Sequence, residues 1–476
     1  TPTALAGPVT IFAGLTAKNI QDIYDAIHIT QTEKQTKVVI TVGMEGSGAD
    51  FICDGVEDNI QLQAAIDYLV SIDGGTLQVL AGLYDIQERV WIIGSNIIVK
   101  GVGQATRFRL ADDANQEIWL VGNGFNNDTA VDDLSDSGTP CNDVHFYDFY
   151  MDGNKANQEQ DATVYNSIKY GNSATRNLLR YRSDAQSSYG GVVDNVRAVN
   201  SKQNGISSES HAFVTIRNCI AENCDQFGIW FENGSQMLIA GNYTRNNVFA
   251  GMKGLSAGAK VLGNESKGDK GGGFSMQSVG GVFANNIAYR TGWQGVVTTP
   301  STGMGFSLSS SLIIANNYVF GSYGHGMVLN GLTRSTIMGN TFRRNGQSAD
   351  DTYYDMRFTF EGGGAPCTDN VIMGNTFKND TASFYDNKAK YNIGSDSASA
   401  HSGNTFIANI MGEPVSGYIY QMADNTYINH DGVNPIGYHN YGYVNPDVTL
   451  NPLDGDFLFA SGYANSATVN IEDGSF

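Results

Sequence analysis

The chain has 476 residues, 57 of them glycine and only 9 proline, and carries a formal net charge of −20. A field of that sign repels nucleic acid and anionic membrane surfaces, which removes both as partners, and no run of about 18 apolar residues is available to insert into a bilayer. Acidity of this size would suit bound divalent cations such as Ca2+, but charge alone assigns no ligands, and the plainer role is solubility of an extended particle. Cys53, Cys141, Cys219, Cys224 and Cys367 are odd in number and lack a metal-type spacing, which reads as buried small side chains. The sequence starts at Thr1 without methionine, so secretion is not legible from a leader.

Residues 1–46 hold a weak helical pattern, LTAKNIQDIYDAI, and a strand-like VVITV at Val38 to Val42, and read as an N-terminal arm or stem. A clear helix follows over 58–72, with Asp58 as N-cap, Ile60, Ala64 and Leu69 on one face, and Gly74 and Gly75 beyond its end. Strand-like runs come next at Thr76 to Ile86, Val90 to Gly103 and Asp143 to Asn154, then an insert from Gly153 to Gly190 rich in Tyr, Arg and Asn. From Asn195 onward an apolar-x-Gly/Asn-Asn unit recurs, ending at Asn195, Asn218, Asn242, Asn264, Asn286, Asn317, Asn340, Asn375 and Asn404. Successive members stand 23, 24, 22, 22, 31, 23, 35 and 29 residues apart. About ten residues after each comes a glycine-led apolar cluster, such as FGIWF at Phe227 to Phe231 and HGMVL at His325 to Leu329.

A base period of 22 to 24 with occasional insertions is that of a solenoid coil of three short strands. The fold expected is all-β: a right-handed parallel β-helix over residues 47–428, closed at its start by the helix at 58–72 because a bare first coil would expose an unpaired edge. Residues 429–476 read as a small C-terminal β segment.

A solenoid has no deep pocket, so a site must lie in a side groove walled by loops that interrupt the period. Extra residues enter between Asn286 and Asn317 and between Asn340 and Asn375. Stacking of equivalent positions aligns Arg245, Lys267, Tyr289, Phe320 and Arg343, with Arg290 and Arg344 one residue further on. Cations gathered on one face of so acidic a chain suit an anionic sugar polymer, whose carboxylates match Arg forks. His325, with Tyr323 two residues before it, could serve as base and acid at a uronate C5, with Arg290, Arg343 or Arg344 stabilising the enolate. Hydrolysis would instead use two carboxylates across the groove, for which Asp350, Asp351, Asp355, Glu361 and Asp269 are candidates. Trp293, Tyr289, Lys267, Tyr353, Tyr354, Asp355 and Arg357, together with Phe358 and Phe360, are the candidate sugar contacts. A lone histidine in a turn and acids in a loop are each more often structural than catalytic.

The run DFICDGVEDNIQLQAAIDYLVSIDGGTLQVLAGLYDI resembles the capping segment of the pectate-lyase-like β-helix superfamily. That resemblance implies a polysaccharide partner and an extracellular or virion-associated setting and, where the likeness is to tailspikes, homotrimers. It transfers no catalytic residue, because neither the Asp-Pro-His motif of mannuronan epimerases nor the vWiDH-type run of pectate lyases is present. Three functions are therefore expected in this order: β-elimination or epimerisation on a uronate glycan, glycoside hydrolysis of the tailspike type, and glycan binding without catalysis by a tailspike, fibre or surface filament.

Overall fold

Two three-residue strands and one longer strand make each coil, and a polar ladder at the corner between the two short ones sets the pitch. The computed structural model describes residues 38–122, 140–158, 163–165, 168–170, 177–182, 188–292, 302–348, 352–360, 365–378, 387, 389–395, 401–412, 414, 417–420 and 425–428. Over these residues the chain winds as a right-handed parallel β-helix. The first ladder of strands runs through Thr215–Arg217, Leu238–Ala240, Lys260–Leu262, Val282–Ala284, Ile313–Ala315, Thr336–Met338 and Val371–Met373. The second runs through Ile220–Glu222, Tyr243–Arg245, Glu265–Lys267, Ile287–Tyr289, Tyr318–Phe320, Thr341–Arg343 and Thr376–Lys378. A third ladder of longer strands extends from Val90–Ile92 to Gly417–Tyr420. Alternate side chains point inward and fill the coil, Ile229, Met252, Phe274, Met304 and Met327 forming one such buried column.

The corner between the first two ladders takes two residues. The first has φ near +55°, and Asn218, Gly241, Gly263, Asn285, Asn316, Gly339 and Gly374 fill it, residue types that accept left-handed backbone at low cost. The second points inward and is a buried asparagine: Asn242, Asn264, Asn286, Asn317, Asn340, Asn375 and Asn409. From Asn264 onward each Oδ1 accepts both the main-chain N–H and the Nδ2–H of the asparagine one coil earlier, at 2.9 to 3.0 Å. The remaining Nδ2 proton goes to a main-chain carbonyl of the coil below, as from Asn264 to Ile239. A buried amide that satisfies all its valences with its own copies turns a desolvation cost into a register lock.

The repeat read from sequence mixes two columns. Asn195 and Asn218 occupy the left-handed position, with φ of 55° and 53°, and the inward positions beside them are Val196 and Cys219. Asn404 belongs to another corner, where Ser335, Asn370, Asn404 and Asn425 donate and accept in turn. The follower of Asn375 is Asn409, 34 residues on. From Gly205 to Gly326 a glycine leads the third-ladder strands because the second corner presses against it: a Cβ on Gly251 would lie 2.3 Å from Thr244 Oγ1 and 2.4 Å from Asp269 Oδ2.

The helix α1 spans Asn59–Ser71 and packs against the strands that run from Val39 to Ile92. Its buried face is Leu62, Ala65, Ile66 and Leu69; Ile60 and Ala64, expected there, are exposed. Asp58 makes no side-chain cap bond. Its carboxylate is buried and accepts the N–H groups of Gly55 and Asp85, tying the helix start to the neighbouring strand. Gly74, at φ 116°, donates to Leu69 O and ends the helix. The strand expected at Val38 to Val42 is Val39–Met44, which pairs in parallel with Gly75–Val79, so the coil begins before residue 47. Residues 1–37 and 429–476, read as an arm and a C-terminal segment, lie outside the described residues. All five cysteines are buried.

At the second corner an acid replaces the amide. Asp269 is buried; its Oδ1 accepts from Asn247 N and Nδ2, and its Oδ2 from Thr244 and Ser266 hydroxyls. Burial outweighs these four bonds and pushes its carboxyl up from 3.8 to about 6. A folded-state value above the unfolded one means that folded protein holds the extra proton between about pH 4 and 6, so stability falls as pH rises through that window and is flat above it. Asp269→Asn should therefore leave stability nearly unchanged at pH 4 and raise it by up to roughly 3 kcal/mol at pH 8, read as urea midpoints at both pH values. At the first corner, Asn317→Ala strips Asn286 of two bonds and should cost about 2 to 4 kcal/mol by the same measurement at any pH from 5 to 8.

Candidate functional site

The third residue of each second-ladder strand points outward, and in-register pairing stacks these residues into one column: Glu222, Arg245, Lys267, Tyr289, Phe320, Arg343 and Lys378. The column expected from sequence is thus assembled as a continuous stripe. Tyr289 and Phe320 stack with centroids 5.2 Å apart and planes 17° from parallel. Lys267 Nζ lies 5.4 Å and Arg290 Cζ 5.5 Å from the Tyr289 ring centre, and Arg343 Cζ 5.7 Å from that of Phe320. Tyr318 stacks beside Phe320 at 6.2 Å. At the lower end Arg245 pairs with Glu222 at 2.9 Å.

Arg290 stands in the left-handed backbone position of the second corner, where Asn223, Asn246, Gly268 and Gly321 occupy the other coils. Arginine gains nothing from φ 52°, so its exposed side chain is retained at a backbone cost. Arg344 occupies the same column at φ 53°, but its side chain is buried and leaves the stripe.

His325 belongs to a different place. It is 4% exposed at the entry to a third-ladder strand, and its Nδ1 accepts the Tyr354 main-chain N–H at 3.0 Å. Its ring stacks on Tyr354 at 5.4 Å and meets Tyr353 edge-on at 5.1 Å. Burial, then the charge of Arg357, lowers its pKa from 6.5 to about 3. A neutral imidazole whose lone pair already holds a backbone proton packs a corner; it is not an available base at neutral pH. Tyr323, half-buried in the same turn, is tied by its main chain to Thr291 and Ser348. Asp355 is fully buried and accepts from Asn345 Nδ2 at 2.8 Å and Asn392 Nδ2 at 3.0 Å, so it closes a polar corner rather than facing a groove. Asp269, in the same corner three coils below Asn345, is likewise enclosed by its hydrogen bonds. Arg357 points out on the third-ladder face. Trp293, Asp350, Asp351 and Glu361 lie outside the described residues.

The outer face of the third ladder holds charges that spacing of the Asn unit did not disclose. Arg180, Ser207, Trp230 and Lys253 stack in one outward column, and Arg182, Glu209, Glu232 and Leu255 in the next. Arg180 Nη2 meets Glu209 Oε2 at 2.6 Å and its Nη1 meets Glu117 Oε1 at 3.4 Å, and Arg89 reaches the other oxygen of Glu117 at 3.2 Å. The signal was present in FGIWFEN, where Trp230 and Glu232 alternate with the inward Ile229 and Phe231.

Two family models match parts of this chain: the right-handed beta helix region over residues 150–299, and the family described as periplasmic copper-binding protein (NosD) over 250–417. Among curated proteins, none matches the sequence. Of solved structures, the A-module of Azotobacter vinelandii mannuronan C-5 epimerase AlgE6 shares 16% identity at a TM-score of 0.60, covering 80% of this chain and 96% of that one. The DFA-IIIase of Arthrobacter chlorophenolicus A6 in complex with GF2 shares 14% at 0.59, covering 83% and 99%. The bacteriophage Phi29 gene product 12 N-terminal fragment shares 12% at 0.54, covering 86% and 74%. At these identities the likeness defines the fold class, the right-handed parallel β-helix. Among the described residues no three His, Cys, Asp or Glu side chains converge on a position for a metal ion, so neither copper nor the Ca2+ considered from charge finds a ligand set there.

If His325 is the packed neutral imidazole described, its ring resonances should stay in the neutral form from pH 8 down to about 4, whereas a titration near pH 6.5 in a histidine-detected NMR series would show an exposed ring.

Proposed function

We propose that the chain binds an anionic polysaccharide along the cation–aromatic stripe and processes it on the side of the helix. The observation that carries this is the in-register column from Arg245 to Lys378, in which cations flank a stacked aromatic pair. Neighbouring coils stand ~4.8 Å apart, close to the length of one sugar in an extended chain, so successive sugars would meet successive coils. Uronate carboxylates would pair with Lys267, Arg290, Arg343 and Lys378, and ring faces would rest on Tyr289 and Phe320. Cations over aromatic faces are already desolvated on one side, which favours exchange of water for a carboxylate. The carbohydrate names borne by two of the similar structures, mannuronan C-5 epimerase and DFA-IIIase with GF2, support a sugar polymer as ligand. An extracellular or virion-associated setting and self-association as a homotrimer belong to the same proposal.

Elimination or epimerisation required a base at His325, and its lone pair is engaged. Hydrolysis is the chemistry that then fits best. Binding without turnover is the second reading, favoured because the stripe itself holds cations and rings but no pair of carboxylates at its centre.

The test compares polygalacturonate and alginate with neutral dextran by calorimetry. The expected result is uronate binding that weakens with salt and falls at least about tenfold in a Lys267→Ala/Arg343→Ala double variant, with a comparable loss in Tyr289→Ala/Phe320→Ala. Equal binding of dextran and uronates, indifferent to both double variants, would remove the stripe as the binding face.

A further inference from the structure

Around the corner from the stripe, the outer face of the third ladder carries an arrangement that packing does not explain. Parallel pairing sets Glu209 directly opposite Glu232 on the next coil, with Arg182 opposite Glu209 on the other side. Two acids in facing positions of adjacent strands repel each other. Only one of them has a close cation: Glu209 Oε2 is 2.6 Å from Arg180 Nη2, whereas Glu232 Oε1 receives a single bond, at 3.4 Å, from Asn233 Nδ2. The Arg180 side chain is 5% exposed and that of Glu209 15%. Among the described residues, three buried polar atoms beside this acid pair, Arg180 Nε, Glu209 Oε1 and Trp230 Nε1, have no hydrogen-bond partner. Trp230 lies two residues before Glu232 and therefore on the same face, diagonal to Glu209, with its ring partly exposed. An ion cluster kept for stability alone closes its own bonds. This one presents two unpaired donors and an unpaired carboxylate oxygen around an acid pair and an indole.

We propose that Glu209 and Glu232 hydrolyse a glycosidic bond on this face, an inference that rests on the polysaccharide reading above. Trp230, whose ring is partly exposed, supplies the surface for a sugar ring beside the two acids. Glu232 gives its proton to the bridging oxygen as the C1–O bond breaks and the bonding pair leaves with that oxygen. Glu209, ion-paired with Arg180, bonds to C1 through its carboxylate as that bond breaks. Water, losing a proton to Glu232, then attacks C1 and frees Glu209, so one water is consumed and both acids return to their first states. Adjacent coils are ~4.8 Å apart and paired carboxyls at about 5 to 5.5 Å serve the double-displacement route, so the product keeps the anomeric configuration of the substrate.

The full chain is incubated with a panel of soluble uronate-containing and neutral polysaccharides, with reducing ends and the nascent anomer followed by NMR. Cleavage with retention is expected, falling at least about a hundredfold in Glu232→Gln and in Glu209→Gln. Because Glu209 is ion-paired and its variant is open to misfolding, the decisive pair is Glu232→Gln, checked for an unchanged melting temperature, and Glu209→Ala supplied with azide, which should yield a glycosyl azide of inverted configuration. Undiminished cleavage in Glu232→Gln, or an inverted sugar product from the unaltered protein, would overturn the assignment. Binding of a polysaccharide by the stripe with no reducing ends released from any of the panel also overturns it while leaving the binding reading intact; absence of binding overturns both.

Discussion

The amide-to-amide bond between stacked asparagines is the constraint on which the other features depend. A coil has little hydrophobic reason to prefer one rotation about the axis over another, since most of its inward positions on all three ladders are apolar. What fixes rotation is that Asn242 must place Nδ2 and N against Asn264 Oδ1, and so on up to Asn409. With that corner locked, the third residue after it is placed at a set height and angle on every coil. The stripe of cations and rings is a by-product of that lock, because its members are those third residues.

Much of the fold was legible because a solenoid repeats its local rules, and a period of 22 or 23 is visible without knowing which asparagine does what. At its first two members the reading was off by one residue, and at its last it moved to another corner. Asn195 and Asn218 sit where left-handed backbone is needed and Asn242 sits where a buried amide is needed, and sequence spacing does not separate adjacent columns filled by the same residue type. Helix α1 illustrates another limit: its apolar residues outnumber those it buries, and Ile60 was assigned to the wrong side for want of knowing where the sheet lay.

The candidate site divides in the same manner. Stacking arithmetic put Lys267, Tyr289, Arg290 and Arg343 on one face, since outward positions inherit the lock. His325 and Asp355 were misjudged because residue type suggests chemistry and only burial reveals the bonds already made. Glu209 and Glu232 escaped notice because they follow the other corner, which carries no uniform marker: its buried position is Cys224, Asn247, Asp269, Thr291, Ser322 and Asn345 in turn.

The two long steps of the amide ladder, 31 residues from Asn286 to Asn317 and 35 from Asn340 to Asn375, close with the same 2.9 to 3.0 Å bonds as steps of 22. The scaffold is thus blind to how much chain is looped out between its rungs. A lineage can lengthen, shorten or exchange those excursions, and with them whatever they recognise, without retuning a single interior contact, so novelty at the rim and permanence at the axis are inherited independently.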